Sequence, residues 1–267
     1  MKNSVKLEAD LSGTGTPVLL LHGFPDSRKL WHPITPFFIA KNYQVIAPDL
    51  RGFGDSPIPP NKQQYKINVV IEDIIALLKA HKIKRPIHII GHDLGAVLGW
   101  CFALAHPELV KSLVAVSVGH PKAYARAGWR QKLKGLYVLG FQFPRLTEYM
   151  LARNDFYLLR KWARQHPLAD EAIQAIAPSG RLTAGLNYYR ANIVAILLKS
   201  WSNCKIPVLG IWSTKDSFLS EDQMRDSEKY MDANWKFVKI EGGGHWLPID
   251  EAAQLFKLAD DWFQKQS

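Results

Sequence analysis

The chain has 267 residues, 47% of them hydrophobic and 22% charged, with a formal charge of +10. That length suits one large core, and the composition is that of an ordinary globular protein without a low-complexity tract. With only Cys101 and Cys204, a disulfide framework and a CxxC metal or redox pair are excluded, and no apolar run approaches the roughly 18–20 residues of a membrane-spanning helix.

Residues 1–10 carry Lys2, Lys6, Glu8 and Asp10 without a hydrophobic stretch, which predicts no signal peptide and a cytoplasmic protein. From there, short β-branched runs alternate with helical patterns, predicting βαβ units and a mostly parallel sheet. Strands are expected at 17–22 (PVLLLH), 43–47 (YQVIA), 86–91 (PIHIIG), 113–118, 207–213 (PVLGIWS) and 235–240 (WKFVKI). Their near-continuous apolar character is that of strands covered on both faces. Residues 69–80, 96–105 and 252–262 show helical spacing.

The alternation breaks between about 122 and 200, where no convincing strand occurs and 155–165 and 186–199 read as helices. This segment is expected to be a helical cap, 122–200, inserted into a core made of 1–121 and 201–267. It also holds the charge, with 13 Lys/Arg against 4 Asp/Glu from Lys122 to Lys199. The scattered charges read as a solvated basic face, or as a surface that steers anionic substrates such as fatty acid derivatives. No nucleic-acid motif accompanies them.

Gly91-His92-Asp93-Leu94-Gly95 follows a buried strand and precedes a helix, the setting of a G-x-Nu-x-G nucleophile elbow. The alternative is that Asp93 merely caps the helix. A serine attacking saturated carbon would leave an ether that water cleaves poorly. A carboxylate leaves an alkyl ester, which activated water can hydrolyse, and it is already ionised near neutral pH. No G-x-S-x-G occurs elsewhere. Substitution at an alkyl carbon through Asp93 is therefore expected.

The order nucleophile, acid, histidine points to Asp216, in WSTKD past a strand, and His245, in the glycine-rich loop GGGHW. Asp216 would orient the imidazole. An oxyanion hole would use the backbone N–H groups of Leu94 and Phe24, the latter in HGFP, and Phe24–Pro25 is expected to be cis. His32, His81, His88, His106 and His166 are expected at the surface or partly packed, without metal spacing, and His92 beside the elbow. The charges of DLRGFGDS, residues 49–56, are expected to fix loop geometry.

Together HGFP, DLRGFGDS, GHD and GGGHW resemble the α/β-hydrolase-fold epoxide hydrolases, from about Pro17 to the C-terminus. The resemblance implies the α/β-hydrolase fold, hydration of a small apolar epoxide with water to a vicinal diol, no cofactor, and two lid tyrosines that hold the epoxide oxygen. YVLGFQ resembles the segment bearing the first, Tyr137. LNYYR resembles the segment bearing the second, Tyr189, with Tyr188 as its flanking aromatic. One departure is Leu94, where the family commonly has tryptophan. Haloalkane dehalogenases typically have tryptophan there and often asparagine in the loop holding Phe24, and fluoroacetate dehalogenases usually have arginine after the aspartate. Dehalogenation through the same aspartyl ester remains the alternative, and a non-catalytic receptor on this scaffold the third. Monomer and homodimer both stay open.

Overall fold

The computed structural model describes residues 4–266; residues 1–3 and Ser267, at the ends of the expected core segments, lie outside the described residues. Seven strands form one sheet: β1 (Ala9–Ser12), β2 (Thr16–Leu21), β3 (Tyr43–Pro48), β4 (Ile87–His92), β5 (Val110–Val116), β6 (Val208–Ser213) and β7 (Trp235–Ile240). Their order is β1-β3-β2-β4-β5-β6-β7. Only β1 runs antiparallel, against β3; the remaining pairs are parallel. Six strands lie close to where the apolar runs predict them. β1 carries no such run: its four residues sit at an edge with only partial burial.

Alternation along the strands explains how one sheet serves two cores. Leu19 and Leu21 of β2 join Ile89 of β4 and Leu113 of β5 on one face. Val18 and Leu20 join Ile90 and Val114 on the other. The first face is covered by α2 (Ile67–Ala80) and α3 (Leu94–Ala105), through Ile74, Leu77, Leu98 and Phe102. The second is covered by α1 (Thr35–Ala40) and α12 (Ala252–Gln264), through Phe38, Leu255, Ala259 and Phe263. Burying each of these leucine, isoleucine and phenylalanine side chains contributes roughly 1.5–3 kcal/mol. Two short helices, α10 (Glu221–Arg225) and α11 (Leu247–Asp250), follow β6 and β7.

Between β5 and β6 come six helices: α4 (Pro121–Arg126), α5 (Trp129–Lys134), α6 (Leu136–Gly140), α7 (Leu146–Trp162), α8 (Ala169–Ile176) and α9 (Arg181–Leu198). The helical reading of 155–165 meets a break, because α7 is interrupted at Arg153, Asn154, Asp155 and Phe156. Among the described residues no helix is long and apolar enough to cross a membrane.

Two histidines expected near the surface are buried. His88 makes a 2.8 Å hydrogen bond to the Ser112 hydroxyl and stacks on Phe263. His166 sits within 2.7 Å of Asp26. Tertiary partners supplied from distant sequence satisfy these rings, which local polarity could not reveal. The loop at 49–56 is held by charge: Arg51 and Asp73, both fully buried, meet at 2.6 Å, and Arg28 pairs with Asp10, Asp49 and Asp55.

Candidate active site

Parallel strands end on one edge of the sheet, and the loops leaving β2, β4, β6 and β7 converge there. Asp93 leaves β4 at φ 52° and ψ −120°, a strained conformation for a residue with a side chain. The close approach demands glycine around it. A methyl at Gly95 would run into the Leu21 carbonyl oxygen, and one at Gly23 would lie 2.6 Å from the Asp93 Cβ. In return, the Asp93 carboxylate reaches the β2 loop, where Oδ1 accepts from the Phe24 N–H at 3.2 Å. Phe24–Pro25 is cis. Leu94 follows as the first residue of α3, whose opening N–H groups have no acceptor within the helix.

The loops after β6 and β7 are pinned together: the Lys215 N–H donates to the Gly243 carbonyl at 3.1 Å, and the Gly242 N–H to the Thr214 hydroxyl at 2.9 Å. This sets His245 beside Asp216. The imidazole Nδ1–H donates to Asp216 Oδ2 at 2.9 Å, while Nε2 lies 3.6 Å from Asp93 Oδ2. The other oxygen of Asp216 accepts from the N–H groups of Phe218 and Leu219, at 2.8 and 2.9 Å. Burial alone would raise the Asp216 pKa, but the charge and hydrogen bond of His245, with these two N–H donors, hold it below the ordinary value. His245 goes the other way. Burial disfavours its charged form, yet the two flanking carboxylates outweigh that and push it to about 10. His245 is therefore an imidazolium between Asp93 and Asp216 at neutral pH.

Opposite Asp93 lies an apolar cavity lined by Leu94, Val97, Val118, Tyr124, Tyr137 and Tyr189, among others. The phenols of Tyr137 and Tyr189 are pushed well above 10, first by burial and next by the negative charge of Asp93. Aromatic packing holds both rings. Tyr189 meets Phe24 edge-on with centroids 6.0 Å apart, and Tyr137 meets Phe218, which in turn packs on His245. Tyr188 also lines the cavity, but its hydroxyl is engaged, donating to the Arg51 carbonyl at 3.0 Å. The structure thus brings Asp93, His245, Asp216, Phe24, Leu94, Tyr137 and Tyr189 to one place.

Several residues at the site escaped the sequence reading, whereas His92 lies beside the elbow as expected. Tyr124 is a further phenol on the cavity wall, its pKa also raised by burial and by Asp93. The His92 ring packs on His245 and donates from Nε2 to the His245 carbonyl at 2.9 Å; burial lowers its pKa to about 4, so it stays neutral. Asp26 accepts from His166 at 2.7 Å and from the Trp246 indole at 3.1 Å, tying the β2 loop to the helical insertion and the His245 loop. In α5, the Gln131 amide accepts from the Ser220 N–H at 2.7 Å, and Lys134 Nζ donates to the Asp216 carbonyl. Only the neighbouring HGFPD and GGGHW motifs could have pointed to Asp26 and Trp246.

A carboxylate at a strand-to-helix elbow, backed by an imidazole and a second carboxylate on a mostly parallel sheet, defines a hydrolase of the α/β class. Residues 16–252 match the family described as alpha/beta hydrolase fold, and the chain belongs to that family. It is 30% identical to Epoxide hydrolase 3 of Xenopus tropicalis over 269 residues, covering 93% of this chain and 71% of the relative. AB hydrolase superfamily protein YfhM of Bacillus subtilis (strain 168) is 30% identical over 277 residues, covering 99% of this chain and 96% of the relative. The crystal structure of Bacillus megaterium epoxide hydrolase with an inhibitor superposes with a TM-score of 0.87 at 25% identity, covering 98% of each chain.

Proposed function

We propose that the protein is a cofactor-independent epoxide hydrolase working through an alkyl ester on Asp93, with residues 122–200 as its lid. The observation that carries this reading is the cavity that Asp93 shares with two half-buried phenols, Tyr137 and Tyr189. Opening an epoxide leaves an alkoxide, which needs a proton donor; a departing halide does not. The phenols thus favour an epoxide over a haloalkane.

In the first step Asp93 Oδ2 attacks a ring carbon, the C–O bond breaks, and the oxygen takes a proton through Tyr137 or Tyr189. The proton lost by the phenol is restored from the His245 imidazolium. Ester formation also removes the negative charge of Asp93, one of the groups that hold the His245 proton. Neutral His245 can then take a proton from water, and the hydroxide attacks the ester carbonyl. The oxyanion is held by the N–H groups of Phe24 and Leu94. Collapse releases the diol, whose alkoxide is protonated by His245, and the new Asp93 carboxyl returns its proton to the imidazole.

The test is a single turnover in H2 18O with excess enzyme over styrene oxide. The label should enter Asp93 of the recovered protein, and the first-turnover diol should carry ordinary oxygen. Label in the diol alone would mean direct attack by water and overturn the ester reading.

A further inference from the structure

The helical insertion carries two surface features that the chemistry at Asp93 does not use. The first is apolar. Trp129, Leu133, Leu139, Phe143 and Leu198 are 67%, 56%, 60%, 60% and 79% exposed. Three helices contribute, and they converge: Lys132, Leu136, Leu139, Leu197 and Leu198 line one outer pocket of about 460 Å³. Tyr124, Val138 and Ile193 belong both to this pocket and to the inner cavity at Asp93. Single exposed leucines are ordinary on a protein surface, whereas a cluster rimmed by charge marks a contact face.

The second feature is that charge. Of 34 Lys/Arg and 24 Asp/Glu, 13 and 4 lie between Lys122 and Lys199, leaving a near-balanced 21 and 20 elsewhere. Three of the four carboxylates are occupied, Glu148 with Arg190 and Asp155 and Asp170 with Arg160. Arg130, Lys132, Arg145, Arg153 and Lys199 are exposed. The guanidinium groups of Arg130 and Arg153 lie over the exposed rings of Trp129 and Tyr149, 5.7 and 5.9 Å from their centroids.

We propose that this face of α5, α6 and α9 docks on an anionic phospholipid surface. Exposed leucines and a phenylalanine can dip to the acyl boundary, while Trp129 settles at headgroup level. The arginines and lysines around them meet the lipid phosphates. Charge decides against a second copy of the chain as occupant, because a two-fold contact would press one basic rim against another. The outer pocket then opens toward the lipid, and an apolar substrate reaches the inner cavity past Tyr124, Val138 and Ile193 without first dissolving in water.

Flotation of the full chain with vesicles tests this. The protein should rise with vesicles of phosphatidylcholine mixed with phosphatidylglycerol, stay behind with phosphatidylcholine alone, and leave the mixed vesicles as salt is raised. The double variant Arg130→Gln/Lys132→Gln should lose roughly thirtyfold in partitioning, and Leu139→Ser/Leu198→Ser should also bind less. All four side chains are exposed, so both variants should melt at the parent's Tm, and either one that does so suffices. The proposal is overturned if the parent ignores anionic vesicles at low salt, or if a folded double variant floats as well as the parent. It is also overturned if sedimentation without lipid shows a dimer that Leu139→Ser/Leu198→Ser dissociates, for then the face belongs to a second copy.

Discussion

His245 Nε2 stands 3.6 Å from Asp93 Oδ2, while its Nδ1 donates to Asp216 at 2.9 Å. One imidazole therefore answers to two carboxylates, and only one of them is consumed when an ester forms. The proposed two-step reaction follows from that asymmetry, and so does the behaviour of a variant that lacks the ring.

His245→Gln should accumulate the alkyl-enzyme. Asp93 attacks as a carboxylate and needs no base, so the ester still forms, though at the reduced rate expected of the parent once its imidazolium is lost. Water does need a base, so hydrolysis of the ester should slow more, by about 10²–10⁴. Mass spectrometry after mixing with styrene oxide should find the protein heavier by one whole epoxide. Turnover near that of the parent with no adduct would remove His245 from the reaction.

The pH dependence has a definite sign. His245 is held at about 10, so the imidazolium that restores the phenol's proton persists through neutral pH and is lost as pH rises through about 10. Single-turnover alkylation should be flat near neutrality and fall toward that value. The same group links to stability. Its folded pKa exceeds its unfolded one of about 6.5, so its contribution is fully present below that pH and disappears as pH rises through about 10. Asp216→Asn removes one of the raising charges and should move the alkylation limb to lower pH. An unmoved limb would assign it to another group.

The adjacent tyrosines should separate cleanly. Tyr189→Phe keeps its packing on Phe24 but loses a donor toward the forming alkoxide, and should slow alkylation by about 10²–10³ with little change in Tm. Tyr188→Phe loses the bond to the Arg51 carbonyl and should cost about 1 kcal/mol of stability without slowing alkylation. If stopped-flow alkylation slows in Tyr188→Phe instead, the roles of the pair are reversed.

Arg51→Met should destabilise the protein without touching the cavity at Asp93. Arg51 and Asp73 are both fully buried at 2.6 Å, and removing one leaves the other uncompensated, at a cost of about 3–5 kcal/mol. Urea unfolding with an unchanged midpoint would show that the pair contributes nothing.

The parts legible in the sequence were those whose chemistry is local. A strand, a tight glycine-flanked turn and a helix sit within residues 87–105 around Asp93, so the elbow's shape follows from its own residues. The glycine loop at His245 and the sheet itself were readable for the same reason, because period and turn chemistry act between near neighbours. The edge strand β1 was not, since it contributes too little apolar surface to leave a pattern. Nor could spacing alone separate Tyr188 from Tyr189. Consecutive helical residues point about 100° apart, and which hydroxyl is tied up away from Asp93 depends on how α9 lies over Arg51 and Phe24. Tyr124, the links of Asp26 to His166 and Trp246, and the raised pKa of His245 belong wholly to the tertiary structure. Each arises from groups tens to hundreds of residues apart in the chain, and burial and electrostatics depend on distance through space, which only the completed fold sets.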